Sequence, residues 1–139
     1  ERRQLAGIEG TVLELEAVIS LGSAKRAGIV FFQSETHETL LFYDAVAGRA
    51  VFDRSRSGAD QRGSENESNV RVLPLSLENG IVSFRIFLDV SSAEVFLNGG
   101  KGVMTGNIYA DEGDTGISFF SEGGDATLLS VRKYDLKLI

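Results

Sequence analysis

Apolar and polar residues alternate with a period of two along most of this chain, in short runs separated by turn residues. Across 11–19, Leu13, Leu15, Ala17 and Ile19 share one face, opposite Val12, Glu14, Glu16 and Val18. Across 81–89, Phe84, Ile86 and Leu88 alternate with Arg85, Phe87 and Asp89, and Ala93 and Val95 then alternate with Glu94 and Phe96. That period is the strand signal. The short link at 90–92 makes the second pair a β-hairpin, and Asn98-Gly99-Gly100 supplies the positive-φ residues of the next tight turn. Further strand-length runs fall at 27–34, 39–44, 49–53, 70–75, 102–108, 116–121 and 126–139. Helical periodicity is nearly absent. About ten short strands with glycine-rich turns predict an all-β fold, a two-sheet antiparallel sandwich.

Two interruptions refine this picture. Residues 54–69 are dominated by Ser, Gly, Asp, Asn, Gln and Arg, too long a polar run for a hairpin loop and read as an exposed excursion. Pro74, the one proline, belongs at a strand end or on a sheet edge, where its missing N–H costs nothing. No internal repeat or low-complexity linker divides the chain, so residues 1–139 are expected to form one domain.

Several runs are apolar on both faces: Ile29-Val30-Phe31-Phe32, Leu40-Leu41-Phe42-Tyr43, and Ile117 with Phe119-Phe120. In the hairpin, Phe87 and Phe96 share the parity of Arg85, Asp89, Glu94 and Asn98. A sandwich needs one apolar face per sheet, so the surplus predicts that something covers part of the second face.

Composition then narrows the partners. At 139 residues, 42% hydrophobic and 24% charged, the chain can bury one core without staples. With no cysteine it forms no disulfide and no thiolate metal site. A net charge of −6 argues against nucleic acid and anionic membranes, and suits a neutral partner such as a polysaccharide. No apolar run approaches the roughly 20 residues of a membrane-spanning helix. The chain opens on Glu1 rather than Met, which reads as a fragment or a processed chain.

Candidate chemistry is sparse. Asp89 and Glu94 flank the hairpin and share a parity, but turn shaping and pairing with Arg85 explain them more simply than glycosidic cleavage. His37, the one histidine, lies in a polar turn and reads as a solvated loop residue. The acidic run 111–114 lacks the spacing of a known calcium loop. No metal or cofactor is expected. Asp53 and Arg54 suit forked hydrogen bonds to sugar hydroxyls, or equally an ion pair at the start of the polar excursion. Tyr43, Tyr109 and Tyr134 could stack on a sugar ring, although strand aromatics usually belong to the core.

The order of these segments carries a resemblance. Residues 84–100, with Arg85-Ile86-Phe87, Asp89, Ser91-Ser92, Glu94-Val95-Phe96, Asn98 and Gly100, resemble a hairpin of the C-terminal β-sandwich of glycoside hydrolase family 32. Asp53-Arg54-Ser55 with Ser57-Gly58 is similar to an earlier segment of that family. So are Gly28-Ile29-Val30-Phe31 with Glu38 and Tyr43-Asp44, Val103-Met104-Thr105 with Ile108-Tyr109, and Gly116 to Ala126. Val90, Gly99, Asn107 and Ala110 depart from the residues common in that pattern.

The resemblance implies a lectin-like, jelly-roll type sandwich that accompanies an N-terminal catalytic propeller in the same polypeptide. The parent would be an invertase-, levanase- or inulinase-type retaining β-fructosidase. Its catalytic motifs are absent here, so no catalytic residue is expected in this chain. Phe87, Phe96 and Glu94 are the expected contacts to the propeller. The alternative role is a fructan-binding module using Asp53, Arg54, Tyr43 and Tyr109. A parent that degrades polymeric fructan would work outside the cell.

Overall fold

The computed structural model describes residues 2–56, 69–89, 91–108 and 113–135. Among these, eleven strands form in chain order: β1 (Arg2–Glu9), β2 (Leu13–Ser20), β3 (Arg26–Gln33), β4 (Glu38–Asp44), β5 (Arg49–Arg56), β6 (Val70–Pro74), β7 (Ile81–Asp89), β8 (Ser92–Leu97), β9 (Gly102–Asn107), β10 (Gly116–Glu122) and β11 (Thr127–Asp135). They make a six-stranded sheet, β1-β10-β3-β4-β5-β6, and a five-stranded sheet, β11-β2-β7-β8-β9. All pairings are antiparallel. The two-sheet antiparallel sandwich is as expected from the period-two pattern.

Alternation decides which side chains meet. In the five-stranded sheet, Leu15 lies opposite Ile86 and Ile86 opposite Val95, while Ala17, Phe84 and Leu97 form the next row. All six are buried. From the other sheet, Ile29, Phe31, Leu41 and Phe52 join the same core. The turn Asn98–Gly100 adopts the left-handed backbone that its residues suggested, with φ of 47°, 70° and 94°. The Asn98 side chain accepts a hydrogen bond from the Ser83 amide at 2.8 Å, which ties the turn to β7. Pro74 closes β6, an edge strand.

The surplus apolar residues of β3 resolve into two groups. Strict alternation would send Phe32 to the outer face, yet both Phe31 and Phe32 belong to the core. Phe32 has φ of 48°, where the β10–β3 register shifts between Gly116 and Ser118. A bulge of this kind adds one residue and re-aims a side chain. Val30, by contrast, does face outward, beside Val51, Phe42 and Phe120, and the last two rings meet edge to face at 5.8 Å.

One strand has weak sequence signals. β1 carries two arginines and a glutamine at its start, and of its described side chains only Leu5 is buried. It pairs on one side only, with β10, so periodicity could not reveal it.

The outer aromatic pair depends on Gly28, which lies opposite both Phe42 and Phe120. A Cβ on residue 28 would sit 2.5 Å from the Phe42 Cα. Backbone there has no room to yield, so Gly28→Ala should destabilise the fold by about 1–3 kcal/mol. Urea unfolding measures this directly, and an unchanged midpoint would mean that β4 moves away at no cost.

Candidate functional site

Arg54 holds the centre of the open side of the sandwich, where edge strands β6 and β9 approach each other. It follows Phe52 on the inner face of β5 and is 3% exposed. Its Nη1 crosses between the sheets and donates to the Asn107 carbonyl at 2.7 Å. Burying a guanidinium is costly unless hydrogen bonds replace its water. The space for it comes from Gly106, where a Cβ would lie 2.9 Å from the Arg54 Cδ and 3.2 Å from the Phe52 ring. Beside it is a small cavity of about 180 Å³ lined mainly by polar groups: Arg54, Arg71, Ser92, Glu94, Thr105 and Asn107, with Ala93 and Gly106.

Asp53 points to the opposite face of the same strand. Its carboxylate accepts the Ser55 amide at 2.9 Å and the Ser55 hydroxyl at 2.5 Å. It lines a polar groove of about 380 Å³ with Arg2, Glu38, Leu40, Ser55 and Arg56. Asp53 and Arg54 therefore do not act as one fork. The groove is spanned by a bidentate pair in which Arg2 donates to Glu38 at 2.8 and 3.0 Å, linking β1 to β4 across the two strands between them. The Arg2 hydrogen bonds hold the Glu38 carboxyl below the usual carboxylate range, against the opposing effect of burial.

The outer face of the five-stranded sheet brings Phe87, Phe96 and Glu94 together. Phe87 lies opposite Glu94, and Arg85 opposite Phe96. The two rings meet edge to face at 5.8 Å, and the Arg85 guanidinium lies 5.0 Å from the centre of the Phe87 ring. Arg85 Nε donates to Glu14 at 2.7 Å, which raises the guanidinium pKa. Beside these groups runs a shallow groove of about 510 Å³, lined by Glu16, Val18, Ser83, Arg85, Phe87, Phe96 and the Gly99-Gly100 backbone.

The remaining candidates separate. The Tyr43 ring is buried and its hydroxyl donates to the Leu75 carbonyl at 2.6 Å, which leaves no ring face for a sugar. Burial, with Asp44 adding, pushes its phenol pKa up. Tyr109 lies outside the described residues, as do Val90 and residues 57–60, 111 and 112. Tyr134 is exposed at the end of β11. His37 is half-buried rather than solvated, with Nδ1 3.0 Å from the carboxylate of Asp114, itself 2% exposed. Asp89 does not line the cavity that Glu94 lines. Among the described residues no group of three or more His, Asp or Glu side chains could hold a metal ion. Neither spacing nor periodicity marks Arg2 and Glu38 as a pair. Gly106, a glycine inside a strand run, was a legible sign of close approach.

The model for "Glycosyl hydrolases family 32 C terminal" matches residues 1–135. A levanase of Bacillus sp. (strain L7) is 34% identical over 138 residues, covering 97% of this chain and 15% of that protein. A sucrose-6-phosphate hydrolase of Staphylococcus xylosus is 36% identical over 135 residues, covering 97% of this chain and 26% of that protein. Among solved structures, an exo-inulinase from Aspergillus awamori superposes with a TM-score of 0.79 at 26% identity, over 99% of this chain and 29% of that one. The chain thus spans about a quarter or less of the length of these curated relatives.

The Arg2–Glu38 fork has a pH signature. Because the folded Glu38 pKa lies below its ordinary value of 4.5, the pair's contribution is full above that value and fades as pH falls through the folded pKa. Arg2 is substantially exposed, so the contribution is limited to about 0.2–1 kcal/mol. Glu38→Gln should therefore cost up to that amount in urea unfolding at about pH 7 and almost nothing at about pH 2. A penalty of equal size at both pH values would assign it to packing instead.

Proposed function

We propose, from the premise that this chain belongs to the glycosyl hydrolases family 32 C-terminal family, that it is the non-catalytic companion of a fructoside-cleaving domain in the same polypeptide. The parent's substrates are sucrose, levan or inulin. The observation that carries this reading is one of proportion: the relatives match 97% of this chain but only 15% to 26% of their own length. The remainder of such a polypeptide is where a catalytic domain would lie.

The chemistry of the chain supports a silent role. Glycosidic cleavage by the common route needs two carboxyl groups across a sugar-sized site, roughly 5–10 Å apart, one of them protonated at working pH. Glu94 is the one carboxylate among the described residues lining the small cavity. In the larger polar groove Glu38 and Asp53 are both present, but Arg2 holds Glu38 toward its ionised form, the wrong direction for an acid.

The companion role assigns the five-stranded sheet's outer face to the catalytic domain. Phe87 and Phe96 give it an aromatic centre, and Arg85, Glu14 and Glu16 give it a charged rim. Interfaces that hold domains together concentrate their energy in such aromatic anchors.

Two measurements test this. The 139-residue chain alone should release no sugar from sucrose, levan or inulin, while the parent does; release by the chain alone would overturn the reading. Phe87→Ser with Phe96→Ser should lower the parent's Tm by several degrees, since each kcal/mol is worth about 2–4 °C or less in a large domain. In the 139-residue chain the same pair should lose only its mutual contact, about 0.5–1.5 kcal/mol. An equal loss in both would remove this face from the interface.

A further inference from the structure

We propose that the catalytic domain of the same polypeptide presents a basic side chain to Glu94, its aliphatic stem laid across Phe87 and Phe96. The inference rests on the companion reading above and names the chemistry of the surface that this face meets. Outer side chains of the five-stranded sheet fall into rows: Glu14, Phe87, Glu94 and Thr105 in one, Arg132, Glu16, Arg85 and Phe96 in the next. Glu94 thus stands directly across from Phe87, a pairing that puts Cβ atoms about 4.5–5.5 Å apart. Whatever covers the Phe87 ring also takes water from the Glu94 carboxylate.

Charge balance on the face singles this group out. Glu14 and Glu16 already meet Arg85, at 2.7 and 3.8 Å. The Glu94 carboxylate has no ion pair or side-chain hydrogen bond with any of the described residues. Arg132, the other cation of these rows, lies three strands away, about 14 Å at the usual strand spacing. Arg71 lines the small edge cavity with Glu94 but makes no ion pair with it. An ionised carboxylate that loses its water without gaining a donor is strongly disfavoured, so the docked surface must bring that donor. The rings decide its type. Arg85 already lies 5.0 Å from the centre of Phe87, and Phe87 meets Phe96 edge to face. A Lys or Arg stem covers the ring surface that remains while its charged end reaches the carboxylate. A hydroxyl or a backbone amide would supply a donor but leave the rings bare.

The test compares Glu94→Gln and Glu94→Lys in the parent and in the 139-residue chain by thermal unfolding. Glu94 is exposed in the chain, so both variants should leave its Tm within about 2 °C. In the parent, Glu94→Gln should lower Tm by several degrees, and Glu94→Lys by more, because it sets like charges together. A parent Tm indifferent to Glu94→Gln overturns the proposal, since the amide keeps shape and an acceptor but no charge. An equal loss in parent and chain overturns it too, as a folding effect. So does a chain Tm that rises with protein concentration and loses that rise in Glu94→Lys, which assigns the face to a second copy. The Phe87→Ser, Phe96→Ser pair separates the two readings. If it costs the parent no more than the chain, docking on this face fails as a whole; if it costs the parent more and the Glu94 variants do not, only the basic contact fails.

Discussion

The facing of two apolar sheet surfaces fixes everything else in this domain. Along β2, β7 and β8 the inward rows Leu13–Leu88–Ala93, Leu15–Ile86–Val95 and Ala17–Phe84–Leu97 are fully or almost fully buried. Each fully buried aliphatic or aromatic side chain contributes about 1.5–3 kcal/mol relative to exposure. A slip of one residue would send every member of these rows to the outer face, so the register is strongly determined. The same constraint fixes the outer rows. Glu14, Phe87, Glu94 and Thr105 must then lie in one line, and Glu16, Arg85, Phe96 and Val103 in the next. The aromatic face is a consequence of core register, and no separate device is needed to place it.

The open side of the sandwich obeys a different rule. Strands β6 and β9 leave an edge that the aliphatic core does not close, and Arg54 fills it with a long side chain whose head reaches the opposite sheet. A hydrophobic residue of similar length could fill the space but could not satisfy the Asn107 carbonyl. Gly106 is the complement, because any side chain there would occupy the volume that Arg54 needs. These two residues belong to segments more than fifty positions apart. Their mutual fit explains why a charged residue in β5 and a bare position in β9 occur together.

Most of the fold could be read from period two, because β2, β7 and β8 pair on both sides and alternate without interruption. The pattern failed where pairing is one-sided or the backbone departs from pleat. β1 has a neighbour on one side and little to bury, so its sequence is mostly polar. The run Ile29-Val30-Phe31-Phe32 read as apolar on both faces, and a bulge puts Phe32 in the core beside Phe31. The site was less legible. Adjacent Asp53 and Arg54 read as a pair, but neighbours in a strand point to opposite faces, and only Arg54 reaches the cavity. Tyr43 shows the opposite difficulty. Its ring was a candidate to stack on a sugar, but it is buried in the core and its hydroxyl is taken up by the Leu75 carbonyl.

The two outer faces differ in how far they are already covered. On the six-stranded sheet the Arg2–Glu38 fork crosses the strands that carry Val30 and Phe120, and both residues are almost wholly buried. On that sheet Arg2 of the first strand lies opposite Phe120. On the five-stranded sheet Phe87 and Phe96 remain half-exposed, and Arg85 partly screens one of them. Guanidinium stacking lowers the cost of aromatic exposure without removing it, since the cation keeps its own water. Among the described residues the β7–β8 face is thus where two aromatic rings stay only partly buried, while more exposed aliphatic side chains such as Val46 and Leu129 stand singly elsewhere. Strand β8 carries both that face, through Phe96, and the polar cavity, through Ser92 and Glu94.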